Sequence, residues 1–293
     1  MGRGKRAWQV LLLKMQVTAM HVDSLGSGTP LLLIHGWGMH GGMWGEIAKR
    51  LAEHFRVLAV DLPGHGHSLG SREWGVGSEK QGTSHLPPTP HFPPPNMLDS
   101  IVDRLSAQFD QPLTVCGWSL GGQIALRWAM HYPQQVSRLA LVASTPCFVR
   151  RTGWECAMAA ETLAEFAAAL QQDYALTLRR FIALQVRGSE KERELLTILR
   201  SALSSRGEPN LDSLQSGLEI LRNCDLRNEL PGIMQPTLVI AGERDTLTPP
   251  QASHYLAEQL PNARLATIKG AAHAPFLSHP DEFMKHLLSF LHE

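Results

Sequence analysis

The sequence predicts an α/β fold: a mostly parallel central sheet, helices on both faces, and an inserted helical lid. Three observations point there. Short apolar runs alternate with amphipathic stretches, the pattern of strands joined by crossover helices. Leu31-Leu32-Leu33-Ile34 is apolar without interruption, as a strand covered on both faces requires. Between Trp154 and Asp225 the strand runs stop and helical patterns follow one another, so a helical insert interrupts the alternation.

In order along the chain, residues 1–6 are basic and 7–13 apolar, a superficial likeness to a leader peptide. Lys14 breaks the run and no small-residue cleavage site follows. Residues 1–19 are therefore read as a disordered tail or an upstream start, with Met15 and Met20 as alternative starts. Residues 16–22 are expected to form a first strand and 31–34 a second. Residues 43–53 form a helix, with Trp44, Ile47, Ala48 and Leu51 at helical spacing. Arg56–Val60 is the next strand. Residues 70–96 break the pattern. They are polar and glycine-rich, then hold Pro87, Pro88, Pro90, Pro93, Pro94 and Pro95, which block helix and remove backbone donors. A surface insertion is expected there, with a polyproline segment for a partner as the alternative.

The alternation then resumes: helix 97–109, strand 113–116, a helix ending at His131, and strand 139–142. The lid, at about 150–226, is expected to carry helices at 162–170, 174–185, 190–203 and 211–224. Beyond it come strand 237–241, helix Pro250–Gln259, strand 264–268 and a last helix at 281–291. Residues 20–293 thus read as one domain with two insertions.

Composition narrows the function. Lys+Arg 27 balance Asp+Glu 27, so no bulk charge favours nucleic acid. No run of some 18 apolar residues exists to span a membrane. Cys116, Cys147, Cys156 and Cys224 show no C-x-x-C spacing, which argues for a reduced cytoplasmic compartment without a disulfide framework or metal cluster. No cofactor is expected, and a monomer is.

Chemistry enters at Gly117-x-Ser119-x-Gly121. It follows an apolar strand and opens a helix, the setting of a nucleophile elbow that holds a serine hydroxyl clear of the sheet. A serine needs a base, and the base needs an orienting acid. Asp245 follows strand 237–241 and His273 follows strand 264–268, in the order Ser, Asp, His. Glu243 is the rival acid and His279 the rival base, although His279 stands before Pro280 at a helix start. Two backbone N–H groups should hold the oxyanion: Leu120, just after the serine, and Trp37, in His35-Gly36-Trp37-Gly38 after the strand 31–34. An aspartate nucleophile would have meant a dehalogenase or epoxide hydrolase. A binding protein built on the same pocket would show a broken triad, and this one is complete.

These motifs, with Asp61-Leu62-Pro63-Gly64-His65-Gly66-His67-Ser68 and Ala271-Ala272-His273-Ala274-Pro275-Phe276, resemble the α/β-hydrolase superfamily. Ala143-Ser144-Thr145-Pro146-Cys147-Phe148, Arg180-Phe181-Ile182-Ala183-Leu184-Gln185, and Gly217-Leu218-Glu219-Ile220-Leu221 with Asp225-Leu226-Arg227 resemble, more narrowly, the esterase family acting on the methyl ester of a pimeloyl chain borne by acyl-carrier protein. The resemblance implies a cytoplasmic enzyme of biotin synthesis that releases methanol. It implies a substrate site lined by Trp37, Ser119, Leu120, Phe181, Ile182, Ala183, Leu184, Gln185 and His273. A general short-chain carboxylesterase or a carbon–carbon bond hydrolase is the alternative. Residues 178–206 add a local excess of base: Arg179, Arg180, Arg187, Lys191, Arg193, Arg200 and Arg206 against Glu190, Glu192 and Glu194. An acidic carrier would suit that face, with Arg180 and Arg193 as its contacts. A solvated face laced by ion pairs is the equal alternative.

Overall fold

The computed structural model describes residues 19–68 and 97–293. The expected tail, most of the expected first strand and the expected insertion at 70–96 lie outside the described residues.

Among the described residues, seven strands make one sheet: β1 (Val22–Leu25), β2 (Pro30–Ile34), β3 (Arg56–Val60), β4 (Leu113–Trp118), β5 (Val136–Val142), β6 (Thr237–Gly242) and β7 (Ala263–Ile268). Their order is β1-β3-β2-β4-β5-β6-β7. Of these seven strands β1 alone runs antiparallel, paired to β3 from Val22↔Val60 to Leu25↔Val57; the other strand pairings are parallel. The first strand thus begins where sequence reasoning expected it to end. An edge strand is covered on one side only, so Asp23 and Ser24 can occupy it and the apolar signal is lost. β2, β4 and β6, in the interior, show the opposite. After Pro30 every residue of β2 is buried, as is every residue of β4 and β6, and their side chains are almost wholly apolar.

Crossover segments carry α1 (Gly45–Leu51), α2 (Met97–Gln108), α3 (Leu120–His131), α8 (Pro250–Gln259) and, after β7, α9 (Pro275–Ser278) and α10 (Pro280–Leu291). The start of the expected helix at 43–53 is a 3-10 turn, Gly41–Trp44, because Gly45 takes φ 38° between the two segments. α10 starts at Pro280, whose missing N–H costs nothing at a first helical position.

Between β5 and β6 stand four helices: α4 (Ala160–Gln172), α5 (Tyr174–Val186), α6 (Glu192–Ser204) and α7 (Leu211–Asn223). Their buried residues, including Leu163, Leu178, Ile182, Leu199 and Leu214, join the same apolar core as the sheet. The insert is therefore packed onto the body and does not bury a separate core of its own.

Candidate active site

The elbow is built from the backbone outward. Ser119 lies between β4 and α3 at φ 56°, ψ −118°, a conformation that costs a non-glycine residue of order 1–3 kcal/mol. Its surroundings hold it there. The Ser119 N–H donates to the Val142 carbonyl (2.9 Å), and the Ser119 carbonyl accepts from Gly122 N–H (2.9 Å) and Ser144 Oγ (2.9 Å). Glycine is required at 117, because a Cβ there would lie 2.3 Å from the Gly121 carbonyl oxygen. α3 opens at Leu120, directly under the serine, so its first N–H groups point toward the turn. Cys116, three residues before, is no rival nucleophile: burial pushes its thiol up to about 12.

The loop after β2 closes one side. A Cβ at Gly36 would sit 3.2 Å from the Ser119 Cβ, so this backbone lies against the serine. His35, which leads the loop, is fully buried and stapled at both nitrogens. Nδ1 faces the Gly36 carbonyl (2.8 Å), and Nε2 accepts the Leu62 N–H (2.9 Å). Those two bonds fit the neutral ring alone. Burial, with His65 5.2 Å away between ring centroids, holds its pKa well below the ordinary range. His35 is thus a strut between two loops.

His273 and Asp245, the expected base and acid, meet at the far side. His273 Nδ1 lies 2.8 Å from Asp245 Oδ2, with both side chains 1% exposed. Asp245 is fixed in turn: Oδ1 accepts the N–H groups of Leu247 (2.9 Å) and Thr248 (3.0 Å), and Oδ2 also accepts the Thr248 hydroxyl (2.7 Å). Trp118, the residue before the serine, donates its indole N–H to the His273 carbonyl (2.8 Å), which ties the elbow to the histidine loop. Gly242 lets the two loops meet, since a Cβ there would be 2.0 Å from the Ala272 carbonyl. Both rivals face elsewhere. Glu243 accepts the Gly270 N–H (2.9 Å), and His279 pairs with Ser278 Oγ (2.9 Å).

The insert packs against the loop after β2. The Trp37 indole N–H donates to the Leu214 carbonyl of α7 (2.8 Å), and its ring meets Phe181 of α5 edge-on at 4.6 Å and Phe166 of α4 at 5.5 Å. Ile182 is buried, Phe181, Ala183 and Leu184 half-buried. Gln185 is 1% exposed, and its Nε2 finds no partner among the described residues. Arg180 and Arg193 are exposed and enter no ion pair among the described residues. Arg206 departs from the expected basic face. Its side chain is 14% exposed, and its guanidinium reaches into the body to Asp61 (3.1 and 3.2 Å) and Asp23. That same contact bears on metal binding. His21, Asp61 and His67 bring ligand atoms within 4.8 Å of one another, but the Asp61 oxygens already accept Gly41 N–H, His67 N–H and Arg206. A guanidinium already pairs with the carboxylate that a cation would need.

Neither Thr248 nor the strut role of His35 stands out in the sequence. A threonine three residues after an aspartate reads as turn chemistry, and nothing in spacing says where its hydroxyl turns.

A family model described as "alpha/beta hydrolase fold" matches residues 29–280. A pimeloyl-[acyl-carrier protein] methyl ester esterase of Nitrosospira multiformis is 39% identical over 276 residues, 94% of this chain and 99% of that protein. One of the same name from Nitrosomonas europaea is 41% identical over 268 residues, covering 92% and 98%. Among solved structures, an esterase from Exiguobacterium antarcticum superimposes with TM-score 0.79 at 22% identity, over 94% of this chain and 96% of that one, a likeness of fold.

Proposed function

The chain belongs to the α/β-hydrolase fold family, and from that premise we propose that it is a serine esterase hydrolysing the methyl ester of pimeloyl-[acyl-carrier protein] to the free acid and methanol. Ser119 is the nucleophile, His273 the base and Asp245 the orienting acid. The observation that carries the reading is the buried His273–Asp245 contact of 2.8 Å, on a loop bonded to the residue before Ser119.

With Nδ1 engaged by Asp245, His273 has Nε2 left to take the Ser119 proton as the hydroxyl attacks the ester carbonyl. The oxyanion is held by the Trp37 and Leu120 N–H groups. Protonated His273 then gives its proton to the departing methoxide, and methanol leaves. Water, activated by the same nitrogen, attacks the acyl-enzyme and frees the acid. The insert is the lid, and the Phe181–Gln185 stretch lines the chain-binding side. The unpartnered Gln185 amide offers a donor to a substrate carbonyl, since a buried N–H without a partner is costly until something satisfies it. Acyl-carrier protein is the partner. It docks on the exposed Arg180 and Arg193, adding steering and rim contacts.

Ser119→Ala should lower hydrolysis of a short p-nitrophenyl ester by about 10⁴ or more. Turnover equal to the parent's would remove the serine from the mechanism. Pimeloyl methyl ester on carrier protein should be a better substrate than the same ester on a small thiol, and the advantage should fall with salt. Equal kcat/KM at all salt concentrations would leave a general short-chain esterase as the reading.

A further inference from the structure

We infer that Thr248 is a positioning residue of the Asp245–His273 pair, on the reading that this pair serves Ser119. Its hydroxyl fixes which lone pair of the carboxylate faces the imidazole.

An ionised carboxylate offers about four acceptor positions. Around Asp245 all four donors come from identified groups. Oδ1 takes two backbone N–H groups, from Leu247 at 2.9 Å and Thr248 at 3.0 Å. Oδ2 takes the Thr248 hydroxyl at 2.7 Å and His273 Nδ1 at 2.8 Å. The two amides belong to the turn's own backbone and would persist with almost any side chain there. Apart from the imidazole itself, the hydroxyl is the one donor a side chain brings, and it sits on the same oxygen, Oδ2, that faces the imidazole.

Its placement gives it little freedom. Thr248 is 2% exposed, and β-branching restricts its rotamers. Oγ1 also lies 3.3 Å from His273 Nδ1, so carboxylate oxygen, hydroxyl and ring nitrogen form a tight triangle. With the hydroxyl donating to Oδ2, one lone pair of that oxygen is taken and the other is left for Nδ1–H. Without it, Oδ2 keeps a bare lone pair in a dry site, and the carboxylate can rotate to share Nδ1–H poorly. The imidazolium formed during attack then loses part of its stabilisation, whereas ground-state substrate contacts are untouched. The signature is a fall in kcat with KM unchanged.

Thr248→Val keeps the shape and removes the hydroxyl; Thr248→Ser keeps the hydroxyl and removes the methyl. Asp245→Asn is the control for the parent reading. We expect Thr248→Val to lose about tenfold in kcat with KM within about twofold, a loss of about 1.4 kcal/mol in transition-state stabilisation. Thr248→Ser should recover most of it. The downfield proton resonance of the His273 Nδ1–H, read by NMR, should move in Thr248→Val and return in Thr248→Ser. Thermal unfolding checks that all three fold. The inference is overturned if Thr248→Val turns over like the parent, if it changes KM alone, or if the serine variant is as slow as the valine variant. An active Asp245→Asn would instead overturn the triad reading itself, so the two failures are told apart.

Discussion

Trp37 joins two tasks in one residue. Its backbone N–H is the proposed oxyanion donor, while its side chain is locked into the insert by the Leu214 carbonyl, Phe181 and Phe166. Gly217 of α7 makes that packing possible. A Cβ there would lie 2.6 Å from the indole Cδ1 and 3.0 Å from Nε1. The ring cannot retreat, since aromatic neighbours and its own hydrogen bond hold it, so the strain passes to the loop. Gly217→Ala should destabilise the protein by about 1–3 kcal/mol, the usual cost of overpacking. Turnover should fall by roughly tenfold, a fraction of the 10²–10³ that outright loss of an oxyanion donor costs. Urea unfolding with kcat on a small ester checks both, and unchanged turnover beside lowered stability would uncouple the ring from the donor. At this scale legibility follows backbone position. The meeting of Asp245 and His273 could be read because each sits just past a strand end, where spacing predicts convergence. Thr248 and the Gly217–Trp37 contact could not, because they depend on rotamers and on packing between residues 180 positions apart.

At the scale of elements, the question is what holds the insert to the body. The C-terminal end of α6 is fastened twice: His40 Nε2 faces the Ala202 carbonyl at 2.9 Å, and Arg206 bridges Asp61 and Asp23. Asp61 is fully buried and also holds the Gly41 and His67 N–H groups, so it organises the loops beneath. Arg206→Leu would leave that carboxylate without its cation. Breaking one side of a buried pair typically costs about 3–5 kcal/mol, and the 14% exposure of Arg206 puts the expectation at the lower end, about 3 kcal/mol. Denaturant titration should give that loss, with the Asp61→Asn, Arg206→Leu double variant recovering part of it. A double variant as unstable as the sum of the singles would deny the pairing. The same arginine marks a limit of reading charge from sequence. Counting cations in 178–206 puts Arg206 with Arg180 and Arg193, yet it points inward and they point out. The four insert helices were legible by periodicity, within two residues at each end, because each has one buried face. β1 was displaced because its polar, half-covered edge carries no such pattern.

Across the whole molecule, buried neutral histidines make stability depend on pH. Burial is the main cause for each: His35 is held well below the ordinary range, His40 below it, and His65 down to about 4. In the unfolded chain such rings take up a proton near the reference value of 6.5. The folded state therefore binds fewer protons than the unfolded one between these limits, and by linkage stability falls as pH falls. The contribution is intact above about pH 6.5 and is lost progressively toward pH 4. For His65 alone, a gap of about 2.5 units amounts to roughly 3 kcal/mol once the lower limit is reached. The ion-paired Asp23 and Asp225, whose carboxyls sit below the usual range, add their loss only at lower pH, so the two ranges are separable. Unfolding free energies at pH 7.0 and 4.5 should differ by several kcal/mol. His65→Gln cannot take up a proton, so its stability should fall less between the two pH values, by about one proton's linkage, whatever its stability at pH 7.0. A parent whose unfolding free energy is flat from pH 7.0 to 4.5 would mean these rings are protonated in the folded state. The His35 strut between the Leu62 N–H and the Gly36 carbonyl would then have to break, because a doubly protonated ring cannot accept the Leu62 hydrogen bond.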